Sequence, residues 1–163
     1  MKITFGTALA VLALLMFNSC TNNMTDNPLL TQSPNPHQAP QFDKIGSEHY
    51  KPAFEQAIAI GKAQIDSIVN NPAEPDFDNT ILKLELAGKE LGNVSTIFFN
   101  INSANTNDTI QQIALEVSPM LSEYSNDIIL NQKLFQRVKQ VYENRMQSGL
   151  NAEQLRLTEE TYR

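Results

Sequence analysis

Apolar residues recur every three or four positions from Ser47 onward, the spacing that places them on one face of an α-helix. The pattern predicts five helices. The first covers about residues 50–69, with Ser47 as its cap, and the second is one long helix over residues 78–101. The predicted fold class is all-α, built from antiparallel helical hairpins.

The stretch FFNINSANTND (98–108) is predicted to be a helix end, a turn and the cap of the third helix, because asparagine side chains compete for backbone hydrogen bonds. Pro119 is predicted to kink or break that helix. The tetrads at 78–81 and 107–110, Asp-Asn-Thr-Ile and Asn-Asp-Thr-Ile, are interpreted as the same capping chemistry used twice.

The fourth helix is predicted over residues 132–146, with Leu134, Phe135, Val138, Val141 and Tyr142 facing inward. The fifth opens at residues 151–154 with a variant of the capping box. It reaches residue 163 without a stop signal, from which we expect the sequence to be the beginning of a longer protein.

Residues 1–19 differ from the rest of the chain. One cation, Lys2, precedes an apolar run of about thirteen residues, shorter than the roughly twenty that a spanning helix needs. This is the pattern of an export signal. Cys20, the only cysteine in the chain, stands where bacterial lipoproteins carry the lipidated residue, although Phe17 and Asn18 fit that pattern loosely. We predict lipidation of Cys20; a plain secretory leader is the alternative.

Residues 20–46 are rich in proline and asparagine and are predicted to be an extended tether, whose end could dock through Phe42 and Ile45. Residues 47–163 form the predicted helical domain. Without residues 1–19 the chain carries eleven cations and eighteen acids, a net charge of −7. An acidic chain with no basic cluster argues against nucleic-acid binding. We expect a monomer, exported and lipid-anchored in a bacterial envelope, in the periplasm or at the outer membrane.

No constellation for catalysis stands out in the sequence, so no catalytic or metal-binding residue is assigned. His37 lies in the tether and His49 at the head of the first helix, and neither belongs to a His-Glu-x-x-His motif. The acid pairs Glu85/Glu90 and Glu159/Glu160 are interpreted as solvated helix faces.

Taken together, the segments resemble the N-terminal region of the thimet-oligopeptidase-type (M3) zinc peptidases, in their peptidyl-dipeptidase branch. The resemblance spans about residues 38–163. It is carried by the segments 38–58, 77–81, 98–108, 118–121, 130–145 and 149–163.

This resemblance implies a larger, mostly helical, two-lobed enzyme that encloses a channel and cleaves short unstructured peptides. It also implies zinc held by His-Glu-x-x-His and a later glutamate, none of which occurs as a motif in these 163 residues. The chain alone is therefore predicted to be inactive. The alternative left open is a stand-alone helical lipoprotein that binds peptides or a partner protein without hydrolysis.

Overall fold

The computed structural model describes residues 27–163, and Cys20 and the predicted leader lie outside them. The described residues form helices and turns without a strand, so the all-α prediction is confirmed. Short 3₁₀ turns lie at Pro36–Gln38 and Phe42–Lys44, and a π-helical turn at Phe77–Leu82 leads directly into α2. The helices are α1 Ser47–Val69, α2 Lys83–Leu86, α3 Lys89–Ala104, α4 Asp108–Ile129, α5 Gln132–Asn144 and α6 Ala152–Tyr162.

Helix α1 is the centre of the fold, because it contacts α2, α3, α4 and α5. Its first half packs against α3 and α4 in the largest apolar cluster. There Phe54 and Phe98 are fully buried and meet edge to face, with ring centroids 5.4 Å apart. Burying each such ring stabilises the fold by about 1.5–3 kcal/mol.

The second half of α1 joins this cluster to a smaller one. Ile65 and Ile68 pack against Leu134 of α5. Beyond them, the π-helical turn buries Phe77 and Ile81 against α5. α6 contacts both α5 and the π-helical turn, so the C-terminal helices are attached to α1 by continuous apolar packing.

The prediction of one long second helix is wrong. The chain breaks between α2 and α3, where Ala87 is extended and Gly88 adopts a left-handed φ of 73°. The Gly88 N–H donates to Gln64 Oε1 at 2.8 Å, and a Cβ at Gly88 would lie 2.9 Å from the Tyr124 hydroxyl. Glycine therefore permits both the reversed backbone and the close approach of Tyr124.

Two further helix predictions differ from the structure. α4 runs unbroken through Pro119. Proline leaves one backbone carbonyl without its N–H donor, and here it does so on the exposed side of the helix, opposite Val117 and Tyr124, where water can supply the missing bond. Phe135 is 46% exposed instead of facing inward, since it lies beside rather than within the face formed by Leu134, Val138 and Val141.

The helix starts use several capping arrangements. α1 begins at Ser47 itself, and the His49 Nδ1 accepts a 2.8 Å bond from the Gly46 N–H, so Ser47 is not the cap. Asn151 and Gln154 form the predicted reciprocal box at α6. The two tetrads do not cap in the same way. In the tetrad 107–110 the first residue, Asn107, caps α4, whereas the cap of the π-helical turn is Asp76, which precedes the tetrad 78–81.

Residues 27–45, here called the N-terminal segment, pack on the helices over part of the length expected to be a tether. Leu29 is buried in the largest cluster, and the Asn27 Nδ2 donates to the carbonyl of His49 at 2.9 Å. Ile45 is partly buried, but Phe42 is 57% exposed and does not anchor the segment. Two adjacent leucines, Leu29 and Leu30, in an otherwise polar and proline-rich stretch gave no periodic signal from which this docking could be predicted.

None of the helices within residues 27–163 combines the length and the apolarity that spanning a bilayer requires.

Candidate functional site

The most densely bonded polar cluster joins Arg137 of α5 to the loop between α1 and the π-helical turn. Its guanidinium donates to the carbonyls of Asn71, at 2.9 Å, and Ala73, at 3.3 Å, and to the Asn79 Oδ1, at 3.0 Å. The planar guanidinium can thus donate to two carbonyls of the loop and to one side chain of the π-helical turn at the same time. The compact ammonium group of lysine cannot reproduce this geometry. We call this cluster the Arg137 clamp.

Asn79 is the hub of the clamp. Its Oδ1 also accepts from the Asp76 N–H and the Thr80 hydroxyl, while its Nδ2 donates to the Glu74 carbonyl at 2.8 Å. A cleft of about 530 Å³ lies beside the loop, lined by charged and amide side chains of α5. The three hydrogen bonds of Arg137 all go to oxygen atoms of the protein itself. We therefore interpret the clamp as a structural contact that positions the loop, not as a catalytic or binding site.

A column of stacked rings covers α5 and α6. Tyr162 stacks on Tyr142, with centroids 4.1 Å apart, and Phe135 lies 6.0 Å from Tyr162 on the same stack. Arg145 lies 3.8 Å over the Tyr142 ring, and its Nε pairs with the Glu159 carboxylate at 3.1 Å. These contacts fasten α6 to α5 through aromatic and cation–π interactions.

The stretch 98–108 is a junction between helices, as predicted. Phe98 is buried in the core, Asn105 ends α3, and the Asn107 Oδ1 caps α4 by accepting from the Ile110 N–H at 2.9 Å. The Asn102 Oδ1 accepts from the Thr106 hydroxyl across the turn at 3.1 Å. The side-chain amides of Asn102 and Asn107 thus stabilise the turn and the helix start that follows it.

The described residues contain no group of three or more His, Cys, Asp or Glu side chains placed to hold a metal ion. His37 is exposed and His49 is engaged in the cap of α1. Glu159 and Glu160 pair with Arg145 and Arg156 on the helix surface, in keeping with their interpretation as solvated acids.

Glu90 departs from the interpretation as a solvated acid. It is half-buried in the first turn of α3, and within residues 27–163 no hydrogen-bond partner reaches its buried Oε2. Glu85 is exposed and lies on the other side of the break at Gly88, so the two acids do not form a pair on one helix.

Comparison with known proteins identifies relatives of the chain. It is 46% identical over 136 residues to dipeptidyl carboxypeptidase of Salmonella typhimurium and 45% identical over 135 residues to that of Escherichia coli. It is 26% identical over 137 residues to oligopeptidase A of Salmonella typhimurium. These matches cover 83–84% of this chain but 20% of each relative, so the chain spans about a fifth of their length.

No family model matches the chain. The relatives are peptidases of the M3 family, and the resemblance noted in the sequence is therefore confirmed.

Proposed function

We propose, from the premise that these residues belong to the thimet-oligopeptidase-type (M3) peptidase family, that the chain is the N-terminal scaffold of an exported, zinc-dependent peptidyl-dipeptidase. The observation that carries the proposal is the 46% identity over 136 residues to a dipeptidyl carboxypeptidase. The substrates would be short, unstructured oligopeptides, cleaved two residues at a time. The catalytic machinery would lie in protein that follows Arg163.

The described residues do not fit a zinc site, since they offer no suitable cluster of ligands and His49 is committed to the α1 cap. We expect the ligands, His-Glu-x-x-His and a later glutamate, outside these 163 residues. In such sites zinc activates a water for attack on the peptide carbonyl, with the motif glutamate as general base. No step of that reaction is assigned to a residue of this chain.

The role proposed for the helices is mechanical: to wall a channel that admits unfolded peptides and excludes folded proteins. Such a wall must hold its shape. The continuous packing along α1, the Arg137 clamp and the ring column on α5 and α6 each fasten one helix to another, which supports a rigid role.

We also propose that Cys20, which lies outside the described residues, is lipidated and anchors the protein in the bacterial envelope. The short apolar run before it supports the proposal. Expression in a bacterial host, followed by intact-mass measurement, tests it. The expected result is loss of residues 1–19 and addition of acyl mass, whereas Cys20→Ala should leave the protein unacylated. An unacylated wild-type protein would contradict the anchor.

The test of the enzymatic proposal compares two proteins, the complete product of the gene and residues 20–163 alone. Both are incubated with an unstructured peptide of about ten residues, with and without a chelator, and products are measured by mass spectrometry. We expect the complete protein to release C-terminal dipeptides in a chelator-sensitive manner and the shorter chain to release none. Peptide binding without hydrolysis by a complete product of only 163 residues would favour the stand-alone lipoprotein instead.

A further inference from the structure

A second cleft, of about 520 Å³, lies between the N-terminal segment and the first two turns of α3. We call it the segment cleft. One wall is formed by residues 28–33 with His37, Gln38 and Pro40, and the other by α3 residues, namely Lys89, Glu90, Asn93, Thr96 and Ile97. No residue of the Arg137 clamp lines it, so it is a separate feature of the molecule.

The segment wall is held in place by several contacts. Leu29 is 7% exposed, and Asn27 ties the segment to α1 through the His49 carbonyl. Further along, the Ser33 hydroxyl and the Asn35 amide both donate to the carbonyl of Ala39, at 2.6 and 3.1 Å. The cleft therefore has two fixed walls rather than one wall and a free strand.

Two consecutive residues of this wall have an unusual backbone. His37 and Gln38 both adopt φ of 56°, in the left-handed region that residues other than glycine rarely occupy. Each such residue costs about 1–3 kcal/mol, and such residues cluster where proteins clamp ligands. The strain lies in the same loop that Ser33 and Asn35 close through Ala39.

The other wall carries the carboxylate of Glu90, a half-buried side chain. Glu90 Oε2 is buried and has no hydrogen-bond partner within the described residues. A buried carboxylate is costly unless a donor or a cation compensates it. The positive end of the α3 dipole offers partial compensation but supplies no hydrogen bond to this oxygen. Glu90 is therefore the natural partner for a donor that enters the cleft.

The chemistry of the remaining walls limits what that donor can be. Leu30 and Ile97 are partly buried apolar side chains that line the cleft on opposite sides, and Pro28 and Pro40 add further apolar surface. A ligand that matches both features carries a cationic N–H donor on a short apolar group. Charge-assisted hydrogen bonds of this kind are about twice as strong as neutral ones.

We propose that the segment cleft binds a primary ammonium group carried on a short apolar residue, with Glu90 as its partner. In a peptide this group is the N-terminal amine or a lysine side chain. That the ammonium group belongs to a peptide follows from the proposed function. That the ligand carries an ammonium group is inferred from Glu90 and the apolar walls alone. The cleft would thus be a recognition site for amines, separate from the site of hydrolysis.

The test is a titration of residues 20–163, the chain without its predicted leader, followed by amide NMR. Three probes distinguish the sources: leucinamide has a free α-ammonium, N-acetyl-leucinamide has none, and N-acetyl-lysinamide has only a side-chain ammonium. We expect leucinamide to shift the amide signals of Glu90, Asn93 and the N-terminal segment saturably, and N-acetyl-leucinamide to leave them unchanged. Saturable shifts with N-acetyl-lysinamide alone would support the ammonium site and assign it to lysine side chains.

Glu90→Gln is the variant that tests the partner, and Glu85→Gln is its matched control, since it removes the same charge from an exposed position nearby. Loss of a hydrogen bond to a charged group weakens binding by roughly ten- to a hundredfold. We expect that loss for Glu90→Gln and unchanged affinity for Glu85→Gln, with a thermal unfolding curve showing that each variant is folded.

Equal binding of leucinamide by Glu90→Gln and wild type, or saturable binding of N-acetyl-leucinamide, would overturn the proposal. So would the absence of cleft shifts with either amine. Because the titration needs no hydrolysis, it separates failure of the ammonium site from failure of the peptidase proposal.

Discussion

Gly61 is the position at which the packing of α1 against α4 can be tested most sharply. A Cβ built on Gly61 would lie 2.4 Å from the Tyr124 hydroxyl oxygen and 2.9 Å from its Cζ. Tyr124 is 9% exposed, and its hydroxyl is confined on the other side by Gly88. The hydroxyl therefore lies close to both glycines, and Gly61→Ala requires either the Tyr124 ring or α1 to shift.

The expected cost follows from two opposing effects. Overpacking a core costs about 1–3 kcal/mol, whereas replacing glycine by alanine within a helix contributes about 1 kcal/mol of stability. Since the contact with Tyr124 involves two atoms at forbidding distances, we expect a net loss of about 1–2 kcal/mol. At roughly 3 °C per kcal/mol for a domain of this size, the melting temperature should fall by about 3–6 °C.

Gly92→Ala is the matched control. Gly92 lies in α3 on an exposed surface, and no atom lies within 4 Å of a Cβ placed there. Here the helix preference acts alone, so the variant should be more stable by about 0.5–1 kcal/mol. The assay is urea or thermal unfolding followed by circular dichroism.

Tyr124→Phe supplies a further check, because it removes the hydroxyl that meets the new methyl group first. The double variant Gly61→Ala/Tyr124→Phe should recover part of the loss, although the Cζ atom remains in place. A Gly61→Ala protein as stable as Gly92→Ala would refute the packing of Tyr124 between Gly61 and Gly88.

Three other predictions follow from named contacts. Arg137→Lys should destabilise the fold by about 1–3 kcal/mol, because one ammonium cannot satisfy the Asn71 carbonyl and Asn79 together; unchanged unfolding in urea would contradict the clamp. The hydrogen bond from Lys51 holds the pKa of Glu116 below its usual 4.5, so this pair stabilises the fold above that pH and loses its effect as pH falls through the lowered pKa. The difference in melting temperature between wild type and Glu116→Gln should accordingly shrink on acidification from about pH 6 to about pH 3, and a constant difference would argue against the pair. Residues 20–163 should bind no stoichiometric zinc by elemental analysis, whereas one equivalent would overturn the assignment of the ligands to protein beyond Arg163.

The helical class and most helix starts could be predicted because they depend on local signals. The spacing of apolar residues defines a helix face, and the side chains of Asn107 and Asn151 cap helices by accepting from backbone N–H groups three residues further on. Gly61 and Gly88 follow the same spacing of three or four residues as their apolar neighbours, so nothing in the local sequence distinguishes them from ordinary helix positions. The close approach of Tyr124, which is remote in sequence, explains the lack of a side chain at both positions, and the left-handed φ of Gly88 is a second reason there.

The features that the sequence did not reveal all depend on distant partners. In the sequence Arg137 has the appearance of an ordinary surface cation. Only the fold shows that its guanidinium donates to the carbonyl of Asn71, 66 residues earlier, at 2.9 Å. In the sequence Leu29 has the appearance of part of a tether, whereas in the fold it is buried in the largest apolar cluster. Glu90 has the appearance of a solvated acid in the sequence, and only the fold shows that one of its carboxylate oxygens is buried. Long-range contacts of this kind leave no periodic trace in the chain.

The central claim is that these helices are the scaffold of a zinc peptidase, and it is tested most directly by reading the coding DNA beyond the Arg163 codon. The account predicts an open frame that encodes His-Glu-x-x-His and a later glutamate, within a protein about five times the length of this chain, as the 20% coverage of its relatives implies. A stop codon directly after Arg163, with no second chain that supplies the motif, would contradict it.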